Sequence, residues 1–192
     1  RAYPASICTS LNETVVHGLP LNYALQSGDV LKLDAGVAYK GYFTDAAVTV
    51  GVGDVSGEAK KLIKTTKTAL DRAIEACVPG LHVGDIGYAV ERVVKKSGFK
   101  VIQNLTGHGV GFSLHEDPDI YNFGDKGKGI VLEPGMVLAI EPMVTMGSWE
   151  VRLLEDRWTA VTEDGSLAAH FEHTVAITED GPEVLTRLGN GP

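Results

Sequence analysis

The spacing of apolar residues divides the chain into strands, then two helices, then strands again. Residues 7–50 are β-rich, in short stretches broken by Gly18-Leu19-Pro20 and Ser27-Gly28-Asp29, which punctuate as turns. The period then changes. Ser56 is placed to cap a helix. Ala59, Leu62, Ile63, Thr66, Ala69, Leu70, Ala73, Ile74 and Cys77 follow at helical spacing until Val78-Pro79-Gly80 stops them. A second helix has Asp85 near its start, Ile86, Ala89, Val90, Val93 and Val94 on its apolar face, and Gly98 at its C-terminal cap. Strand-like runs return at 136–140, 150–154, 158–161 and 170–178. This order predicts an α+β fold on a mostly antiparallel sheet. Two helices are few for a sheet this large. They cover part of one face, which fits a chain with further helices N-terminal to it.

Against this pattern, several acids stand where apolar strands do not favour them. In VLKLDAGVAYKGYFTDAAVTV, a hairpin turning between Tyr39 and Lys40 sets Asp34 opposite Asp45. Like charges opposed across a sheet are destabilising. Either both carboxylates face water, or the register differs, or a cation lies between them. Glu141 interrupts the apolar run GMVLAIEPMV, and Glu172 lies in AAHFEHTVAIT between His170 and His173. A glutamate on an edge strand explains either one singly. Four such carboxylates, together with the glycine-flanked His108, point to a shared multivalent cation. One imidazole among oxygen donors suits Mn, Fe, Co or Zn. The set exceeds what one tetrahedral zinc needs, and two ions roughly 3.5–4 Å apart, with a hydroxide between them, use it fully.

The stretch TGHGVGFSLHEDP holds two histidines seven apart, His108 and His115. It is not a dinucleotide loop, because Phe112 stands where a third glycine is required and no helix follows. Ser113 is not in a GxSxG elbow, and neither HExxH nor HxxEH occurs. In an extended strand the two rings would face opposite sides, so both meet one site only if the glycines bend the chain.

Bulk properties narrow the function further. A chain of 192 residues suits one sizeable domain. The net charge of −8 disfavours nucleic acid or an anionic membrane as the main partner. The densest basic group, Lys60, Lys61, Lys64 and Lys67, reads as a solvated helix face. Two isolated cysteines, Cys8 and Cys77, favour a reducing compartment over a disulfide framework. No apolar run approaches a membrane span. The chain begins at Arg1 rather than Met, so the expectation is a single domain over 1–192 that is N-terminally incomplete.

The motifs NETVVHG, KLDAG, GYFTDAAVTV, TGHGVGFSLHEDP, AIEPM and AHFEHTV, in this order, resemble the type I methionine aminopeptidases of peptidase family M24. The resemblance runs from Tyr3 to about Glu183. It implies the pita-bread fold: a curved, mostly antiparallel sheet with helices on its outer face. It implies that Asp34, Asp45, His108, Glu141 and Glu172 bind two divalent ions (Co, Mn, Fe or Zn). Asp45 and Glu172 would bridge, Asp34 would complete one ion's shell, and His108 and Glu141 the other's. His17 would contact the scissile peptide nitrogen, and His115 the scissile carbonyl. Glu141 would also shuttle a proton while hydroxide attacks. Tyr3, Cys8, Leu114, Met143 and Trp158 match the methionine pocket, although core packing explains Met143 and Trp158 equally well.

The implied activity is removal of the N-terminal methionine from nascent polypeptides by a cytoplasmic monomer, with ribosome association a further expectation. A prolidase or aminopeptidase P of the same fold is the alternative enzyme, and an inactive pita-bread binding module the non-enzymatic one. Three positions depart from the family pattern: Phe112 where arginine is common, Leu114 where an aromatic is frequent, and His170 where histidine is unusual.

Overall fold

A computed structural model describes residues 2–187. Arg1 and residues 188–192, and so both ends of the expected 1–192 domain, lie outside that range. The chain opens with β1 (Cys8–Leu11), β2 (Thr14–Val16), β3 (Val30–Tyr39) and β4 (Tyr42–Gly51). The helices α1 (Gly57–Glu75) and α2 (Val83–Ser97) come next. Then follow β5 (Lys100–Val101), β6 (Thr106–Gly109), β7 (Glu116–Tyr121), β8 (Val137–Ile140) and β9 (Met143–Thr145). The chain closes with β10 (Val151–Leu153), β11 (Ala160–Thr162), β12 (Ala168–His170), β13 (Glu172–Thr178) and β14 (Gly181–Val184). The main sheet runs β1-β3-β4-β13-β8-β6-β7, with β14 on β13. Two three-stranded sheets, β10-β11-β2 and β12-β9-β5, adjoin it. Pairing is antiparallel throughout the described ladders, as the order of elements predicted.

The helix signals held. The Ser56 hydroxyl accepts from the Ala59 amide at 3.1 Å, and Gly98 closes α2 in the left-handed conformation, φ 82°. Leu62, Ala69, Leu70, Ile86, Val90 and Val94 pack against Leu138, Ile140, Val175 and Ile177 in the main core. Each large side chain so buried contributes about 1.5–3 kcal/mol. Lys60, Lys61, Lys64 and Lys67 are all exposed, the solvated face expected of them.

Side chains alternate across a strand. On β8 and β13, Leu138, Ile140, Val175 and Ile177 face the helices, which places Glu141, Glu172 and Thr174 on the opposite face.

Two expectations need correction. The β3–β4 hairpin turns between Lys40 and Gly41, so Tyr39 pairs with Tyr42 and Asp34 pairs with Ala47 rather than Asp45. A two-residue turn matched to the strand twist needs positive φ at both central positions. Lys40 (φ 50°) and Gly41 (φ 87°) supply it. Asp45 instead faces Gly36, one diagonal step from Asp34 and on the same sheet face.

The expected 170–178 strand is two strands in different sheets, broken at Phe171, and β8 likewise ends before β9 at Glu141-Pro142. Pro142 has no amide hydrogen to donate, so no ladder passes through it unbroken. The two breaks lie side by side, since His173 pairs with Ile140 on one flank and His170 with Met143 on the other. Glu141 and Glu172 sit at this paired break.

Candidate metal centre

Five adjacent strands of the main sheet carry, in spatial order, Asp34 on β3, Asp45 on β4, Glu172 on β13, Glu141 at the end of β8 and His108 on β6. Their chain order is different, and only the sheet makes them neighbours. Asp45, His108, Glu141 and Glu172 are buried, and Asp34 is half-buried. Donor atoms of Asp45, His108 and Glu172 all lie within 4.8 Å of one another, close enough to share an ion. His108 Nε2 is 3.5 Å from Glu141 Oε1, and Asp34 and Asp45 lie one diagonal step apart on the same sheet face.

The electrostatics describe a site built for cations. Burial pushes the Glu172 carboxyl well above its ordinary range, and Glu141, Asp45 and Asp34 push it the same way. Burial likewise raises Glu141, with nearby His108 opposing and Asp45 reinforcing. Asp34 is raised by burial first, then by Asp45 and Glu141, against the opposing effect of His170. Glu172 Oε1 is buried without a hydrogen-bond partner. Packed carboxylates with an orphaned oxygen need positive charge. The donor set therefore fits divalent ions.

His108 is ready to ligate. Its Nδ1 lies 2.9 Å from the Gly109 carbonyl oxygen. A carbonyl only accepts, so Nδ1 carries the proton and Nε2 keeps a free lone pair. Gly109 admits this geometry because β6 approaches β7 so closely that a Cβ there would collide with the Asp117 carbonyl oxygen. The chain then doubles back through Gly111 (φ 153°). His115 returns to His108, with ring centroids 4.2 Å apart. The bend through the glycines thus brings both rings to one place.

Two cavities flank the cluster and share His17 and His115. One, of about 470 Å³, is bordered by His108, Glu141, Met143 and the acidic Glu116, Asp117 and Asp119. The other, of about 430 Å³, is bordered by Asp34, Asp45, Tyr3, Cys8, Leu114 and Trp158. Four of the five residues matched to a methionine pocket therefore line one cavity, with Tyr3 edge-on to Trp158 at 5.3 Å. Met143 stands apart from them. It is 1% exposed and packs in a small core with Val15, Val16 and Ile102. Leu114 lies over Gly36, and Phe112 faces solvent against Tyr42. Burial lifts the Cys8 thiol to about 11, so it stays protonated and is no nucleophile at neutral pH.

His17 holds a left-handed backbone (φ 57°). The adjoining Gly18 is tied down three ways: its carbonyl accepts from Tyr3 Oη and the Thr9 amide, each at 2.8 Å, and its amide donates to Ser10 Oγ at 3.0 Å. Burial keeps the His17 ring below its ordinary pKa, with His170 and His115 acting in the same direction.

Supporting residues went unseen in the sequence. The Thr174 hydroxyl both accepts from the Asp45 amide and donates to the Asp45 carbonyl, each at 2.8 Å. Asn122 donates to the Glu141 carbonyl at 3.0 Å. Fully buried Lys32 donates from Nζ to the carbonyls of Asn12 (2.8 Å) and Ala168 (3.1 Å). A lysine inside an apolar strand was the one available signal.

Residues 1–179 match the model of metallopeptidase family M24. A methionine aminopeptidase of Clostridium perfringens is 48% identical over 186 residues, covering 97% of this chain and 75% of the relative. The crystal structure of a methionine aminopeptidase from Thermotoga maritima superposes with a TM-score of 0.93 at 50% identity, over 95% of this chain and 74% of that one. A prolidase from Pyrococcus furiosus matches more distantly, with a TM-score of 0.77 at 25% identity over 97% of this chain and half of its own. The curved antiparallel sheet with its two helices is the pita-bread fold, and the chain belongs to metallopeptidase family M24.

Proposed function

We propose that this chain is a methionyl aminopeptidase, removing N-terminal methionine from polypeptides with the help of two divalent ions. The observation that carries the reading is the row of four carboxylates and one imidazole across five adjacent strands, opening onto two cavities that share His17 and His115. The methionine aminopeptidases among its relatives favour this specificity over cleavage at proline.

Asp34, Asp45, His108, Glu141 and Glu172 would hold the ions, with Asp45 and Glu172 central to the row and able to reach both. Co, Mn, Fe and Zn all suit these donors. When bound, the ions supply Lewis acidity and a hydroxide nucleophile at neutral pH. Glu141 takes and returns the proton that must move from nucleophile to leaving amine. His115 donates to the scissile carbonyl oxygen as negative charge develops there, and His17 meets the peptide nitrogen. The substrate's side chain enters the cavity of Tyr3, Cys8, Leu114 and Trp158, with its α-amino group beside Asp34, which restricts cleavage to the first bond. Nascent polypeptides in the cytoplasm are the substrates this activity implies. The described residues act as a single catalytic domain.

The test is release of free methionine from a Met-Ala-Ser peptide by the purified protein after anaerobic loading with each of the four metals. Cleavage is expected only with metal. Hydrolysis of Xaa-Pro peptides without methionine release would instead assign the chain to the proline-specific branch of the fold.

A further inference from the structure

His170 ends β12, two residues before Glu172, with 1% of its surface exposed. Its Nδ1 has no partner. Its Nε2 approaches Glu141 Oε2 to 3.2 Å without a well-aligned hydrogen bond. Burying an imidazole with so little in return is costly, yet the surroundings hold it firmly. Its amide donates to Thr49 Oγ1 at 2.9 Å, and the Thr49 hydroxyl donates back to its carbonyl at 2.5 Å. It pairs with Met143 on β9, and two residues upstream the Ala168 carbonyl is anchored by Lys32. Contacts from β4, β9 and β3 thus fix the backbone that carries the ring, beside one particular oxygen.

We infer that His170 is a positioning residue for Glu141, its ring presenting Nε2–H to Oε2 and turning Oε1 toward His108 and the metal site. This rests on the metal-centre reading above. Once Glu141 ligates an ion it is a carboxylate whose oxygens only accept, so the ring nitrogen facing it then carries the proton. Oε2 then faces the His170 donor at 3.2 Å, while Oε1 lies 3.5 Å from the His108 Nε2 lone pair, the two atoms together open to an ion. With Oε2 occupied, Glu141 offers a single oxygen to an ion, in one orientation.

The test compares His170→Phe, which keeps a buried ring but removes the donor, with His170→Gln, whose amide can reach the same oxygen. Manganese affinity is measured by calorimetry and kcat and KM on a Met-Ala-Ser peptide, with thermal melts confirming that each variant folds. The Phe variant is expected to bind manganese about 10–100-fold more weakly and to lose kcat. The Gln variant should recover most of both. Affinity and kcat unchanged in the Phe variant would overturn the assignment, as would a Gln variant no better than Phe. In the cobalt-loaded protein, proton NMR should show one metal-shifted imidazole N–H, from His108, in all three forms. A second such signal in the wild type, lost in the Phe variant, would make His170 a ligand and overturn the positioning role. Wild-type protein that binds neither metal would overturn the metal-centre reading itself, and this role with it.

Discussion

Metal binding at pH 7 should expel protons, because burial raises the Glu141, Glu172 and Asp34 carboxyls in the metal-free fold. Glu141 is pushed up to about 8 and Glu172 is raised well above its ordinary range. Asp34, at about 7, adds a partial proton. An acid whose folded pKa is raised costs the fold nothing below its ordinary value. It destabilises progressively as pH climbs between the two values, and the cost is complete above the folded one. Each unit is worth about 1.4 kcal/mol. Raising Glu141 from 4.5 to about 8 therefore costs the metal-free protein on the order of 5 kcal/mol above pH 8. Replacing it with neutral Gln should raise the metal-free melting temperature there by roughly 10 °C, while weakening metal binding. Titration calorimetry in buffers of different ionisation heat counts the protons, and scanning calorimetry with chelator reads the melting shift. Lys32, lowered by burial to about 7, titrates in the opposite direction above that pH, but it does so in variant and parent alike. Proton release near zero, with a Gln variant no more stable than the parent at pH 8.5, would refute the argument that these carboxyls are forced together.

Glu172→Ala should abolish peptide turnover and lower the bound-metal count measured by elemental analysis, since the residue sits mid-row. Normal activity would rule out its bridging role. His115→Ala should slow kcat while the metal content stays at the parent's level, and loss of metal would make it a ligand instead. Thr174→Val leaves the Asp45 amide and carbonyl without their partner, and denaturant unfolding should show a loss of about 2 kcal/mol. Gly109→Ala drives a methyl group into the Asp117 carbonyl and should cost about 1–3 kcal/mol in the same assay.

The local rules read well from the sequence. Ser56 caps α1, Gly98 closes α2, and the lysines of α1 lie on its wet face, because caps and stripes depend on neighbours within one or two turns. The acids were conspicuous for a related reason: a charge in an apolar strand is costly wherever that strand goes, so Asp34, Asp45, Glu141 and Glu172 stood out before any contact was known. The hairpin register failed by two residues because positive φ at Lys40 and Gly41, rather than symmetry about the acids, sets the turn.

Motif order determined the family and the identity of the candidate ligands. The tertiary structure alone decided that β13, late in the chain, inserts between β4 and β8 and so puts Glu172 at the middle of the row. It alone separated Met143 from the other pocket candidates and set the hydroxyls of Thr49 and Thr174 on the backbones of His170 and Asp45. Strand insertion and cross-sheet hydrogen bonds join residues more than a hundred positions apart, and such pairings leave no periodic trace in a single sequence.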